Sequence, residues 1–337
     1  MKPIRTLLFV AAISALSCGK LSTSEEAELI RVSVGVSGAV QTKVTGIVSN
    51  GDDSEGRVNT LQVFVFNGND RDGYALVDGA SAVDVVCSAG YREVWAVVNG
   101  EDLSGVTTKR ALLSCVATLP DRHDRFVMVG HTALTLEPDS GISVPVSRLA
   151  ARVVLRGIRN VFKNSAQADA FHLDAVYLVN VSGDIDYGRS VDYAVTRWYN
   201  RKGYEPENSI SGITYDVIDA DVAYDATYGA VHSLYAMPNP HAPLIGGVWT
   251  PRRSLLVVRA TIAGAAMSYP IVLPVLESNK SYEISLLSIS RPGNPDSDND
   301  GQERPIMGIE EGFQVSVTDW STVLVCGDGE ADGNVTI

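Results

Sequence analysis

The stretch LIRVSVGVSGAVQTK, Leu29 to Lys43, decides how the rest of the chain is interpreted. Its side chains at Ile30, Val32, Val34 and Val36 alternate with small or charged residues, which is the period of a β-strand with one buried face. The stretch ends in a basic residue and follows an apolar N-terminus closely. A strand with a core pattern therefore occupies the place where exported proteins carry a removable leader.

The N-terminus itself, MKPIRTLLFVAAISALSCGK, has a short basic region followed by the apolar run 7–16. The run has the length of a signal peptide and is too short for a permanent membrane span. Its end, ALSC, is similar to a bacterial lipobox, in which Cys18 would be acylated and become the new N-terminus. The match is imperfect, since Leu16 stands at −2 where the usual leucine stands at −3. An ordinary signal peptide with a chance cysteine is the alternative.

Composition places limits on the class of protein. The 337 residues suffice for one large domain or two ordinary ones, and 45% apolar with 20% charged residues indicates a folded chain. A net charge of −13 argues against nucleic-acid binding, which needs a basic footprint. The 30 glycines and 13 tyrosines favour β-structure.

Downstream of the opening strand, VNTLQVFVFNGND (58–70) is apolar on both faces and ends in a turn signal. It predicts a central strand that is covered on both sides. The best helix candidate in this half is TKRALLSCVATLP (108–120), with Pro120 as its end. Many further short strands separated by turn residues predict an all-β fold with minor α content, in sandwich layers rather than βαβ units.

A search for catalytic chemistry yields little. The sequence has no nucleophile elbow, phosphate-binding loop, dinucleotide fingerprint or zinc-protease motif. Its five histidines lack metal-ligand spacing, although His131 and Asp124 could lie near each other. No enzyme activity and no cofactor are therefore predicted. Paired carboxylates for glycoside hydrolysis would have to come from residues distant in the sequence. The candidates are Glu93, Asp174, Glu277 and Glu283. Aromatic rings such as Trp95 could stack on sugars but are more typical of a core.

The segment DSDNDG, 296–301, matches the first half of a calcium-binding loop, with acids at Asp296, Asp298 and Asp300. Its twelfth position holds Met307 in place of the required glutamate. We therefore predict a solvated acidic loop and no metal, with a weak calcium site as the alternative.

Three cysteines follow Cys18, namely Cys87, Cys115 and Cys326, and their spacing fits no metal motif. A disulfide between Cys87 and Cys115 and a set of buried free thiols are both compatible with the sequence.

The order of these features resembles the fimbrillin family, the subunits of Bacteroidales type V pili. After the lipobox and the removable strand come LQVFVFNGND (61–70), AGYREVWAVVN (89–99), FVMVG (126–130), VPVSRLAARVVL (144–155) and VSVTDW (315–320). Each fragment alone is a weak signal, while their common order spans nearly the whole chain.

The resemblance implies two β-sandwich domains of transthyretin-like topology in a lipoprotein precursor at the outer membrane. It also implies that an Arg- or Lys-specific protease removes the first strand, and that a strand from a neighbouring subunit then fills the vacated groove in the fimbria. Lys43 is the first choice for the cut and Arg57 the second. The family's best-known members carry Arg at the cut, which leaves the identity of the protease open.

The donor predicted from this resemblance is the C-terminal segment 312–337. Its alternative is that VSVTDW forms an ordinary last strand of its own domain. The sequence leaves open whether the chain is a shaft, tip or anchor subunit. The predicted insertion residues are Phe313, Val315, Val317, Val323 and Val325.

The predicted organisation is a signal peptide (1–17), a lipidated pro-segment with the removable strand (18–43), and sandwich domains at 44–147 and 148–337. The predicted partners are other pilin subunits, the outer membrane through the lipid, and an adhesion ligand on a host or another bacterium. The alternative function is a non-polymerising surface lipoprotein that binds glycan or a host ligand through its loops.

Overall fold

The fold is taken from a computed structural model, which describes residues 28–38, 53–201, 209–241, 251–295, 315–320 and 325–326. Strands dominate these residues, as the sequence predicts, and two short α-helices and two 3-10 turns accompany them. None of the described helices is long and apolar enough to cross a membrane.

The first half of the chain forms an antiparallel sandwich with one parallel pair. The strands of this half are β1 (Leu29–Gly38), β2 (Arg57–Val58), β3 (Thr60–Asn67), β4 (Asp70–Asp78), β5 (Ala82–Ser88), β6 (Gly90–Val98), β7 (Val116–Thr118), β8 (Met128–Leu136) and β9 (Gly141–Arg148). All but β2 and β7 belong to one seven-stranded sheet, in the order β4-β3-β6-β8-β9-β1-β5.

The seven-stranded sheet folds over between β8 and β9. Strands β8 and β9 pair only through Met128 and Val129 with Arg148 and Ser147, so the sheet divides there into two layers. One layer is β4-β3-β6-β8, and the other is β9-β1-β5 with β1 in the middle. Apolar side chains from six of these strands meet between the layers and form the core of this sandwich.

Strand β3 confirms the prediction of a strand covered on both faces. Leu61 to Phe66 are all buried. Leu61, Val63 and Val65 face the sandwich core, while Phe64 and Phe66 belong to a second core on the opposite face. The apolar side chains of this one strand therefore pack into two different cores, one on each face of the strand.

The two edge strands of the seven-stranded sheet, β4 and β5, approach each other closely at Gly73. A Cβ at Gly73 on β4 would lie 2.7 Å from the carbonyl oxygen of Val86 and 2.9 Å from Cγ1 of Val85 on β5. Only a residue without a side chain permits this approach. The sandwich is closed by packing of β4 on β5, not by hydrogen bonds between them.

The second half forms another sandwich. Its strands are β10 (Ala151–Leu155), β11 (Ile158–Asn160), β12 (Phe171–Val179), β13 (Val181–Ser182), β14 (Asp184–Asp186), β15 (Trp198–Tyr199), β16 (Tyr215–Asp221), β17 (Thr227–Tyr228), β18 (His232–Ala236), β19 (Leu255–Ile262), β20 (Ala265–Val272), β21 (Lys280–Ile284), β22 (Leu287–Ile289), β23 (Asn294–Pro295), β24 (Val315–Asp319) and β25 (Val325–Cys326).

One layer of this second sandwich is the five-stranded sheet β16-β12-β19-β20-β23. The other layer is built from β18-β10-β21-β24, continued by β17-β11-β22. Strand β24 lies at the edge of its sheet, and among the described strands it pairs with β21 alone.

The helices are α1 (Lys109–Leu113) and α2 (Ser165–Ala168), with 3-10 turns at Asp53–Gly56 and His123–Arg125. The N-cap of α1 is Thr108, whose side chain accepts a hydrogen bond from the Ala111 amide. The predicted helix at 108–120 is thus only five residues long. Its second half instead forms β7, which pairs with β14 and so joins the two sandwiches. Long-range strand pairing overrides local helix propensity there.

Candidate functional site

The opening strand β1 is a central core strand of the first sandwich. Its side chains at Ile30, Val32 and Val34 are 4%, 0% and 0% exposed, and Val36 is half-buried at the end of the same row. Burying three such side chains contributes about 5–9 kcal/mol before the entropy of ordering the strand is subtracted. The predicted removable strand is therefore a full part of the core.

Hydrogen bonds hold β1 from both sides. It runs antiparallel to β5, with Val32 opposite Val85, and parallel to β9, with Val34 opposite Ile142. The amide of Val36 donates to the carbonyl of Ser81 at 2.8 Å. Without β1, the facing edges of β5 and β9 would present unpaired backbone groups above an apolar floor, which is the form of a strand-accepting groove.

Strand β5 depends on β1, because β1 is the one described strand that pairs with it. A polar clamp at the end of β5 supplies a second attachment. Asp72 on β4 accepts hydrogen bonds from Arg92 Nε at 2.7 Å and from the Ser88 amide at 3.0 Å. Arg92 Nη2 also donates to the hydroxyl of Ser88 at 2.8 Å. We call Asp72, Ser88 and Arg92 the β5 clamp.

Charge and burial act in opposite directions on this clamp. Burial alone would raise the pKa of Asp72, but hydrogen bonds from Arg92 and Ser88 and the Arg92 charge outweigh it, so the pKa lies below its ordinary value. The Asp72 carboxylate is ionised at neutral pH. The clamp therefore ties β5 to β4 and β6 independently of β1.

Cys87 lies beside β1, on the paired strand β5. It is fully buried, faces the sandwich core and stands opposite Ile30 in the strand register. Burial raises the pKa of its thiol, with a further contribution from the Asp72 charge. Cys87 and Cys115 are both free, so the alternative of a disulfide between them is wrong. Of Cys326 the structure describes only the backbone strand.

The C-terminal strand β24 is held much more loosely. Val317 is 50% exposed, and Val315 is partly buried against the core of the second sandwich. Lys280 Nζ and Asp319 pair at 2.5 Å near the end of the strand. Here VSVTDW is paired within its own domain, at an edge, and its outer hydrogen-bonding side is not covered by any described strand.

Trp320, just after β24, is anchored far more firmly than the strand. It is 1% exposed, and its Nε1 donates to Glu55 Oε2 at 2.9 Å. The guanidinium of Arg148 lies over the indole ring at 4.3 Å. The indole also contacts the rings of Phe126 and Tyr235. The end of the second sandwich is thus fixed on residues of the first.

Glu55 is the centre of this junction and is 4% exposed. Its carboxylate accepts a hydrogen bond from Arg152 Nη1 at 3.0 Å and another from the Tyr235 hydroxyl at 2.5 Å. Arg148 Nε donates to its backbone carbonyl at 3.3 Å, and burial lowers the pKa of Arg148 to about 10. One buried carboxylate thereby compensates two buried guanidinium groups.

The second-choice cleavage residue, Arg57, lies in this same region. It is half-buried in β2, which pairs in parallel with β25. Its carbonyl accepts a hydrogen bond from Asn99 Nδ2 at 2.8 Å, and Val58 is buried. A protease needs an accessible segment, and the bond after Arg57 lies in a paired strand between a half-buried and a buried residue.

The other candidates from the sequence are scattered. His131 does not meet Asp124 but stacks on Trp95, with ring centroids 4.2 Å apart. Within the described ranges, no group of three or more His, Cys, Asp and Glu residues could hold a metal ion. Glu93, Asp174 and Glu283 bind Lys109, Thr261 and Arg156 respectively.

Several predicted residues lie outside the described part of the chain and stay predictions. They are Cys18, Lys43, Phe313, Val323, Asp296, Asp298 and Asp300, and for Val325 only the backbone strand is described.

No pattern in the sequence identifies Glu55 as buried, because it lies in the polar stretch GDDSEGR, 51–57. A signal does exist in SRLAAR (147–152). Arg148 and Arg152 stand in a largely apolar stretch, and two arginines buried in such a stretch require a buried carboxylate somewhere in the fold. The Asp72–Arg92 pair could not be found in this way, because its members lie 20 residues apart on different strands.

The comparisons with known proteins agree with this architecture. The family model described as major fimbrial subunit protein (FimA) matches residues 30–147, the segment from β1 to β9. Over these residues the match confirms the resemblance to fimbrillins inferred from the sequence. The matched family is a class of structural subunits, in agreement with the prediction of no enzyme activity. No curated protein matches the chain in a sequence search.

Three solved structures show the same β-sandwich fold. A proposed cell adhesion protein from Bacteroides eggerthii has 17% identity and a TM-score of 0.63, over 88% of this chain and 97% of that one. A fimbrilin (FimA) from Porphyromonas gingivalis has 14% identity and a TM-score of 0.60, over 87% and 98%. The tip fimbrial protein Mfa3 from Porphyromonas gingivalis has 13% identity and a TM-score of 0.53, over 87% and 100%.

Proposed function

We propose that the chain is a structural subunit of a cell-surface fimbria that assembles by exchange of β-strands. The precursor is exported as a lipoprotein through acylation of Cys18, and proteolysis releases β1. The observation that carries the proposal is the position of β1. One strand near the N-terminus supplies three buried side chains and fills the middle of a three-stranded layer.

Covalent linkage explains why exchange waits for proteolysis. While β1 belongs to the same chain, it binds its groove at a high effective concentration and excludes competing strands. After the cut, β1 is a separate peptide that is held by about 5–9 kcal/mol of apolar burial and no longer by a covalent link, so it can dissociate. A donor strand from another subunit then competes for the same two edges.

We place the cut at Lys43, which lies between β1 and Asp53. A cut after Arg57 would separate Glu55 from the body of the protein. It would take the carboxylate away from buried Arg152 and a backbone acceptor away from buried Arg148, a loss on the order of 3–5 kcal/mol. The contacts of Glu55 and the hydrogen bond to the Arg57 carbonyl support Lys43 as the first choice.

We propose the C-terminal segment 312–337 as the donor strand. Donation of Val315 and Val317 requires β24 to leave β21 and strains the attachment of Trp320. Donation of the part beyond Trp320, with Val323 and Val325, leaves that anchor in place. The loose edge pairing of β24 and the firm anchor at Trp320 support a donor that pivots near Trp320.

Limited trypsin digestion of the purified precursor tests the proposal, with Cys87 as a built-in reporter. We expect a stable fragment that begins at Val44, followed by laddered, heat-resistant polymers. Alkylation of Cys87 should be at least about 100-fold faster in the cut monomer that has lost β1 than in the precursor. The thiol should become protected again in the polymer. Lys43→Ala should block all three changes, while the matched control Arg57→Ala should block none.

Two results would contradict the proposal. If Lys43→Ala and Arg57→Ala together leave assembly in cells unchanged, processing at these residues is wrong. Uncleaved protein on cells, without any polymer, would instead favour a surface lipoprotein that binds ligands through its loops. Mixing cut and uncut chains distinguishes the roles, since a shaft subunit accepts and donates, a tip only accepts and an anchor only donates.

A further inference from the structure

Strand β8 has a hydrogen-bonding edge that no described strand covers. On one side, β8 pairs with β6 along its whole length without a register shift. On the other side, it pairs with β9 only at Met128 and Val129. From His131 to Thr135, no described strand pairs with β8 on that second side. We call residues 131–135 the open edge of β8.

The contact with the β9 side shows which backbone groups of the open edge point outward. The amide of Leu149 donates to the Val127 carbonyl at 3.0 Å, so Val127 directs its backbone groups away from β6. Backbone groups alternate in direction along a strand, and β8 has no bulge. His131, Ala133 and Thr135 therefore also direct their N–H and C=O groups away from β6, where no described backbone group bonds them.

Other sheet edges of this protein are protected against pairing. Strand β16 carries three acids, Asp216, Asp219 and Asp221. Strand β23 is two residues long and contains Pro295, while β4 and β5 pack against each other. By contrast, the segment GHTALTL, 130–136, has no proline, lysine, arginine or acidic residue. An edge of this kind is a template for another strand.

The open edge is complementary to a second copy of itself. An antiparallel pair centred on Ala133 sets His131 opposite Thr135 at both ends and Ala133 opposite its own symmetry mate. All three side chains are exposed, and none of these pairings puts like charges together. Because the outward backbone groups belong to these same residues, each pairing exchanges two hydrogen bonds across a two-fold axis.

Charges beyond the open edge favour the same register. This register brings Glu137 of one copy opposite Val129 of the other. Nη2 of Arg189 donates to the Val129 carbonyl at 3.3 Å and to Ser147 Oγ at 2.7 Å, and no described carboxylate pairs with it. Glu137 and Arg189 are both exposed. The two-fold axis thus places an acid near a base at each end of the pair.

We propose that the open edge of β8 binds the same edge of a second copy of this chain, antiparallel and centred on Ala133. The pairing joins the two β4-β3-β6-β8 layers into one continuous sheet. A contact this small is weak between single subunits, and repetition along a fimbria strengthens it. It leaves both edges of the β1 groove free, so it joins fimbriae side by side and does not depend on strand exchange.

Disulfide trapping in uncut precursor that carries Lys43→Ala tests this register. Ala133→Cys places two cysteines about 5.5 Å apart between Cα atoms, within the range of a disulfide. Thr135→Cys is the matched control, because it lies on the same exposed face but about 14 Å along the strand from its symmetry mate. Under mild oxidation, Ala133→Cys should form covalent dimers at least about 10-fold faster than Thr135→Cys. The parent chain, which has the other cysteines, gives the background rate.

Two further measurements sharpen the test. A mixture of His131→Cys and Thr135→Cys chains should give the mixed dimer, since these positions face each other. Ala133→Lys sets two like charges opposite each other and should weaken self-association, measured by sedimentation, about 3- to 5-fold. Ser143→Lys, on the exposed face of β9, should leave it unchanged.

Equal trapping rates for Ala133→Cys and Thr135→Cys would overturn the proposal. Self-association that Ala133→Lys leaves unchanged would also overturn it, because the copies would then meet at another surface. All chains in this test are uncut, so a failure of trypsin-induced polymerisation would leave these results unaffected and would contradict only the proposed function.

Discussion

Strands β1 and β24 have the same alternating pattern in the sequence and opposite positions in the fold. Strand β1 is paired on both sides, and its side chains at Ile30, Val32 and Val34 are buried. Strand β24 is paired on one side, and Val317 is half exposed. A strand that completes a core can be removed only after a covalent cut, while an edge strand can leave by local opening. This difference suits β1 for removal by proteolysis and β24 for donation to another subunit.

The largest effect expected from this comparison comes from the same substitution in both strands. Val32→Asp places a carboxylate at a position with no exposure, inside an apolar cluster, and should destabilise the precursor by more than about 4 kcal/mol. Val317→Asp places it at a half-exposed edge and should cost within about 1 kcal/mol. Urea unfolding of the two precursors measures both values. Equal losses would show that β24 is an ordinary core strand.

A smaller effect tests the junction that separates β24 from the loose end of the chain. Glu55→Gln removes the only carboxylate that the described residues place between Arg148 and Arg152, and should cost about 3–5 kcal/mol. Glu93→Gln breaks the half-exposed pair with Lys109 and should cost within about 1 kcal/mol. Thermal unfolding compares the two variants. If Glu55→Gln is as mild as its control, Trp320 is not anchored by charge.

The smallest effect concerns the β5 clamp, the second attachment of a strand that otherwise depends on β1. Asp72→Asn should destabilise the precursor by about 1–3 kcal/mol at neutral pH, because hydrogen bonds to charged groups are lost. The folded pKa of Asp72 lies below its unfolded value, so this contribution is present above the unfolded pKa and is lost as pH falls through the folded one.

The stability difference between wild type and Asp72→Asn should therefore shrink as the pH is lowered from neutral to below 3.8. Urea midpoints at several pH values measure it, and Asp84→Asn on the exposed face of β5 is the control. A difference that grows on acidification would contradict the assigned role of the clamp.

Much of this architecture was available in local sequence patterns. Alternation at Ile30 to Val36 gave a strand, and the run Leu61 to Phe66 gave a strand with two covered faces. Both are correct because the period of side-chain burial is a local property of an extended chain. The helix at 108–120 was predicted too long, since pairing of β7 with β14 is a long-range contact that no local window contains.

By itself, the sequence determined that the chain is all-β, that its first strand has a core face, and that the whole resembles fimbrillins. Only the tertiary structure decided that β1 is central while β24 is at an edge, and that Glu55 joins two arginines and Trp320. The physical reason is that alternation fixes which face of a strand is apolar, whereas its neighbours and buried charge partners are fixed by contacts between residues far apart in the chain, as Glu55 and Trp320 are at 265 positions.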